Sequence, residues 1–479
     1  MIRRLRLGAA GAGLASLAFA AVPDVAAAHG LVGRQDLPIP RWMFAWAAAT
    51  VLVASFVGLA SLWPSPRLQQ LQERVVLRVP RVLDPVCGAI GIALFGIVVY
   101  AGLSGSQSAQ NNLAPTAIYV IFWVGIPFAS VLLGDVFRAF NPWRAVARAF
   151  AWAGRRLGAG SSEPLPYPAR LGRWPAALTI LLFAWLELVY VDRDDPSRLA
   201  IIAVAYAAVQ LVGMALYGID EWEDNADGFG VYFGLFAMLS PLHWSRGELR
   251  VRKALEGVVQ LTTVAGTVAL LCIGIGTTSF DGFSNGVLWN GDTGGGGMAG
   301  WLTDRFSSLG FGAEDALMAA FSVGLVGMVL FVSALYRLGV TGMHGVGERF
   351  ATNDLARRFV HTLVPIALAY IIAHYFSLLA YQGQATAYLI SDPLGDGSDI
   401  FGTANATIDY GVISATGIWY VQVGALIVGH VCGLILAHDR ALATYREGRD
   451  ATRSQYWMLA VMVAFTSLGL WILSAAAAQ

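Results

Sequence analysis

The sequence predicts an all-α polytopic integral membrane protein: a cleavable signal peptide over residues 1–28, about ten transmembrane helices after it, and one short re-entrant or interfacial segment. Three observations carry this prediction. Hydrophobic residues make up 57% of the 479 positions and charged residues only 13%, about half the charged share of an ordinary soluble domain. The mean hydropathy of +0.61 implies more apolar surface than one soluble core can hide, whereas lipid solvates such surface on the outside of a helical bundle. The apolar residues also come in runs long enough to cross a bilayer of about 30 Å, and the basic residues between those runs alternate in number.

The signal is read from Arg3, Arg4 and Arg6, then the apolar stretch Leu7 to Ala21, then the small residues Ala26 and Ala28. Cleavage after Ala28 would leave His29 as the new amino terminus; an uncleaved first helix is the other reading. The mature chain 29–479 reads as a single polytopic domain. Its spans fall at roughly 42–63, 86–104, 115–137, 174–191, 199–218, 257–278, 315–336, 359–381, 415–438 and 456–477. The run 228–241 is too short to cross and fits a re-entrant or interfacial segment.

If the mature chain starts outside and crosses at each run, the segments left inside hold 23 of the 31 lysines and arginines. Three more lie in the signal and only five (Arg34, Arg41, Arg193, Arg198 and Arg305) fall outside. Such asymmetry is the positive-inside pattern of a polytopic membrane protein, with the mature amino terminus and the carboxyl terminus both outside. Inner segment 138–173 reads as an interfacial helix followed by a Gly/Pro-containing linker. Outer segments 279–314 and 382–414 are long and nearly free of basic residues.

Net charge is +0, which gives no footing for nucleic-acid binding. Cys87, Cys272 and Cys432 lie inside apolar runs with no Cys-x-x-Cys pair, against a disulfide framework or a thiolate zinc site. FRAFNP at Phe137–Pro142 and FAMLSP at Phe236–Pro241 share a spacing, but two membrane exits can match by chance.

Candidate chemistry rests on few residues. An amino-terminal His29 would offer both an amine and an imidazole, a chelate for a divalent transition metal such as copper or zinc, and Asp36 and Asp281 could add oxygen ligands. Its amine, with a reference pKa near 8, is accessible in neutral form. Tyr370, His374, Ser377 and Tyr381 follow at i, i+4, i+7 and i+11, one face of the eighth span, with Gln382 and Gln384 at its outer mouth. A polar face in lipid is costly and should point into the bundle or a wet cavity. It serves either as a site or as a hydrogen-bonded packing face. At 1.5 Å per residue His374 would lie about 10 Å below the outer boundary, and His430 on the ninth span about 20 Å below it. His430 is therefore not expected to bind the same ion as His374. Gln422 stands two turns above His430, and Gly429 and Gly433 set a G-x-x-x-G spacing for close helix approach.

Glu187, near the outer end of the fourth span, is a metal ligand or proton acceptor if buried, and a rim residue if it reaches water. His243, His344, His361 and His438 sit at the inner boundary beside basic residues and read as interface anchors. GFSNG at Gly282–Gly286 has the spacing of a nucleophile elbow but lies in an expected loop. GDTGGGG around Gly294 lacks the Lys-Ser/Thr of a phosphate loop and reads as a flexible outer loop or lid.

Several blocks together resemble one family. HGLVGRQDLPIP (His29–Pro40), GDVFRAFNPWRA (Gly134–Ala145), YFGLFAMLSP (Tyr232–Pro241), AHYFSLLAYQGQ (Ala373–Gln384), SDPLGDGSDIFGT (Ser391–Thr403) and WYVQVGALIVGHVCGLILAHDRAL (Trp419–Leu442) are similar to bacterial membrane proteins called fenitrothion hydrolases. The resemblance covers almost the whole mature chain. It implies membrane-bound hydrolysis of an organophosphorus triester, and a complex of related polytopic subunits. It carries over no catalytic residue, and the His/Asp metal motifs of soluble phosphotriesterases are absent.

The expectation is therefore a membrane hydrolase for lipophilic phosphotriesters or similar esters. A metal near the outer face would activate water, held by His29 and His374, with Glu187 or Asp281 as carboxylate ligand or base. A transporter or permease, or a non-catalytic copper-handling or complex subunit, is the alternative; ten spans, the short 228–241 segment and the polar residues of spans eight and nine suit a transporter.

Overall fold

The structure, a computed structural model, describes residues 41–158, 163–245, 247–291, 296–346 and 350–476. The expected signal, His29, Asp36 and most of GDTGGGG lie outside the described residues. The chain is an all-α polytopic membrane protein. Among the described residues eight helices are long and apolar enough to cross a bilayer: Ala45–Leu62, Leu83–Ser104, Leu113–Leu133, Pro196–Tyr217, Thr267–Ser284, Ala313–Thr341, Thr352–Leu389 and Ala415–Thr444. The last expected span falls within the 29-residue helix Gly448–Ala476. The fourth run makes the 15-residue helix Trp174–Leu188. Run 228–241 gives the ten-residue helix Gly228–Ala237, too short to cross, as its length predicts. Leu94, Ile97, Tyr100, Val204 and Val212 stand exposed on the long helices, the surface that lipid solvates.

The chain forms two compact units. The first contains the described residues of 41–69, 275–374 and 415–476. In it the helices Arg41–Leu62, Ala415–Thr444 and Gly448–Ala476 pack on one another. The G-x-x-x-G spacing does what it predicts: a Cβ on Gly429 would fall 2.3 Å from Ala369 Cβ, and one on Gly433 3.0 Å from Thr362 O. Buried Asp439 fastens the chain after the first helix, accepting hydrogen bonds from Trp63 Nε1 (3.1 Å), Arg67 N (2.5 Å), Leu68 N (3.2 Å) and Gln69 Nε2 (2.6 Å).

The second unit contains residues 70–274 and 375–414. Leu83–Ser104 packs against Pro142–Arg156 and Pro196–Tyr217, and against Val136–Phe140 so closely that a Cβ on Gly91 would fall 1.8 Å from Phe140 O. The span Leu113–Leu133 holds a ten-residue π-helix, Thr116–Gly125, between Pro115 and Pro127. Pro127 cannot donate to a carbonyl one turn back and its ring crowds that turn, and widening the helix relieves both. Three short strands are not foreshadowed by the apolar runs. Glu73–Arg78 pairs antiparallel with Glu248–Arg252, which pairs with Leu242–Ser245. Within the sheet Glu73 stands 2.6 Å from His243 Nδ1 and 3.4 Å from Arg250 Nη1, so His243 is a hydrogen-bond partner of the sheet as well as a boundary residue.

The structure corrects one span. The sixth helix does not run over 257–278 but over Thr267–Ser284, after a short helix Glu256–Val259. Gly266, at φ +83, turns the chain where a side chain would meet Trp174 N at 2.5 Å, and the helix starts immediately after it. Asp281 is consequently on the last turn of a helix, not in a loop. The segment 279–314 also contains the helices Val287–Asn290 and Met298–Ser308, so it is folded over most of its described length.

Candidate functional site

The shifted helix brings Asp281 to His374. Imidazole Nε2 lies 2.8 Å from carboxylate Oδ2, with side chains 23% and 15% exposed. Both residues sit within the first unit. An ionised carboxylate only accepts, so a neutral His374 carries its proton on Nε2 and its lone pair on Nδ1. Such a pair can orient an imidazole and stabilise its protonated form, which a general base requires.

The residues flanking Asp281 in sequence join an aromatic cluster: Phe280 and Phe321 pack edge-on against Trp289, centroids 5.2 and 5.4 Å away, and Phe283 lies 5.9 Å from it. Thr277, Thr278 and Ser279 on the preceding turn are buried. Ser284 donates to Asp281 O at 2.9 Å, so the hydroxyl of GFSNG is engaged in closing its own helix.

The other predicted residues are distributed. Tyr370, one turn before His374, is buried and stacked on Phe465 at 5.3 Å. Ser377 is half-buried, as is Gln382 at the end of the helix Leu363–Gln382. Tyr381 donates to Ile413 O at 2.8 Å, and Gln384 accepts from Asp409 N at 3.0 Å, so these two tie down the segment that follows the helix. His430 is fully buried with Nδ1 2.7 Å from Leu426 O. Gln422 is buried too. Glu187 is half-buried on the last turn of Trp174–Leu188, in the second unit. His438 meets Trp63 O at 3.1 Å, His361 is buried, and His344 is exposed.

Among the described residues no group of three or more His, Cys, Asp or Glu could hold a metal ion. His374 and Asp281 are donors of the right type for zinc or copper, and the ligand expected to join them, His29, lies outside the described residues.

Sequence reasoning missed a buried charge network in the second unit. Asp227 is fully buried and accepts from Trp143 Nε1 (2.6 Å), Asn141 Nδ2 (3.0 Å), Tyr206 Oη (2.6 Å) and Gly230 N (3.2 Å). Glu223, 2% exposed, contacts the Arg144 guanidinium directly and lies 3.5 Å from that of Arg138. Arg138 also reaches Asp224 at 2.6 Å, and Arg144 reaches Asp220 at 3.0 Å. Burial pushes the Glu223 carboxyl up to about 8, against the pull of both arginines. The signal was present: the block FRAFNPWRA supplies Arg138, Asn141, Trp143 and Arg144, and IDEWEDNAD supplies the carboxylates.

The fold and these buried polar pairs define a class, the polytopic α-helical membrane proteins with a half-buried histidine–carboxylate pair. Comparison with family models, curated proteins and solved structures finds no match to the chain.

Proposed function

We propose that the chain is a membrane-bound hydrolase of lipophilic phosphotriesters or similar esters, acting near the outer face of the bacterial inner membrane. The observation that carries the reading is the 2.8 Å contact of His374 with Asp281 on two membrane helices. An ionisable pair there is expensive to keep and is by default functional. The blocks resembling fenitrothion hydrolases supply the substrate class, and substrates that partition into the bilayer would reach such a pair laterally.

His374 Nδ1 takes a proton from water as the water oxygen bonds to phosphorus. Asp281, as a positioning residue, stabilises the imidazolium that results. The bond from phosphorus to the aryl oxygen breaks, and the proton leaves with the aryl alcohol. A zinc or copper ion, if held by His374, Asp281 and His29, would supply a bound water of lowered pKa. A related polytopic chain is the partner that the resemblance suggests.

A transporter is the competing reading, favoured by one observation: Trp174–Leu188, Gly228–Ala237 and the π-helix Thr116–Gly125 are the short or irregular helices that transporters place around a substrate path. Proteoliposomes separate the two. Release of the aryl alcohol from an aryl dialkyl phosphate supports the hydrolase. Accumulation of the intact ester inside, without release, supports the transporter and removes the hydrolase.

A further inference from the structure

The helices Ala313–Thr341, Ala415–Thr444 and Gly448–Ala476 of the first unit line a partly open cavity of about 60 Å³, with Ile275 and Thr362–Ile366 on its other walls. Its hydroxyls are engaged: Tyr336 donates to Ala356 O and Thr362 to Phe359 O, both at 2.7 Å. His430 lines the same cavity. Because Leu426 O can only accept, His430 Nδ1 carries the ring proton. The lone pair is then on Nε2, at the far tip of the ring, which is buried and has no hydrogen-bond partner among the described residues.

A buried acceptor of this kind requires an occupant. A water would fit by size and could donate to Nε2, but the wall also carries donor atoms of a second, softer kind. The remaining donor atoms on the wall are thioethers. Met458 and Met462, one helical turn apart, both line the cavity, and both are more than nine-tenths buried. One imidazole nitrogen and two thioether sulfurs make an uncharged, soft ligand set, which selects Cu(I) over zinc, calcium or magnesium. The Nδ1–H bond to a backbone carbonyl is the arrangement that fixes a metal-binding histidine in the correct tautomer. A monovalent ion suits neutral ligands in lipid, because only one charge must be desolvated. The ring of Phe465, centroid 6.3 Å from that of His430, adds a π face to the same wall.

We propose that His430, Met458 and Met462 form a binding site for a soft monovalent metal ion, Cu(I) or its redox-inert analogue Ag(I). The site uses none of the groups assigned to ester hydrolysis and stands or falls separately from that reading.

The test is anaerobic Cu(I) titration of the detergent-purified full chain against the chromophoric competitor bicinchoninate, with Ag(I)-dependent thermal stability read on the same samples. The wild type is expected to take one Cu(I) per chain, to show sulfur neighbours in copper X-ray absorption, and to unfold at higher temperature with Ag(I). M458L/M462L, which conserves side-chain volume and keeps the fold, is expected to weaken Cu(I) binding at least a hundredfold, as is H430Q. H29A is expected to retain it. No capture by the wild type, capture unchanged in M458L/M462L, or capture lost only in H29A would each overturn the site.

Discussion

His374 Nε2 and Asp281 Oδ2 face each other at 2.8 Å from helices that enter the chain almost a hundred residues apart. If the carboxylate acts only through the imidazole, the two residues behave as one unit. D281N should lower the rate of ester hydrolysis by about 10²- to 10⁴-fold, the span of a general base and its orienting group. Adding D281N to H374Q should then cost little more. Kinetics of the two single variants and the double variant check this, and multiplicative losses would show that Asp281 works independently of His374.

Glu223 makes stability depend on pH in an unusual direction. Its folded acid titrates near 8 against 4.5 for the unfolded chain, so between those values the folded state holds a proton that the unfolded state has lost. Stability is therefore greatest below about pH 4.5 and declines as pH rises toward 8, by up to about 5 kcal/mol from this group alone. E223Q mimics the neutral form and should flatten that slope, matching or exceeding wild-type stability at about pH 8. Thermal unfolding in detergent across this range checks it. A loss of several kcal/mol in E223Q at high pH would mean that the ion pairs with Arg138 and Arg144 outweigh burial.

Asp439 ties the segment after the first helix to the helix Ala415–Thr444. D439A leaves two backbone amides and two side-chain donors without their acceptor and should cost about 3 kcal/mol, whereas W63F removes one donor and should cost about 1 kcal/mol. Equilibrium unfolding of both variants separates them, and near-equal losses would place the anchor elsewhere.

Helix approach gives a matched pair of substitutions on one span. A Cβ on Gly91 would lie 1.8 Å from Phe140 O, whereas one on Gly96 meets nothing within 4 Å. G91A should destabilise by at least about 2 kcal/mol through overpacking, and G96A should be neutral or stabilising by roughly 0.5–1 kcal/mol. Comparing their unfolding midpoints tests the packing of Leu83–Ser104 on the segment around Phe140.

Span positions were largely legible because a 20-residue apolar run in lipid has few alternatives to a helix. What failed was the start of the sixth helix. Hydropathy registers Val258 and Val259 as apolar but does not register that Gly266 turns the chain, so Asp281 was placed one turn too far out. The choice of His374 and Asp281 came from their residue type and approximate depth, while their mutual contact depends on packing between helices distant in sequence. The Asp227 and Glu223 network was illegible for the same reason: each partner reads alone as a boundary charge, and only folding joins Trp143, Asn141 and Tyr206 around one carboxylate. Three short strands were missed because their alternation is brief beside the helical runs.

The most direct measurement is aryl alcohol release from an aryl dialkyl phosphate by proteoliposomes of wild-type protein and of H374Q, inserted at equal density. The account predicts release by the wild type and a fall of at least a hundredfold in H374Q. Equal release from both would contradict the role given to His374.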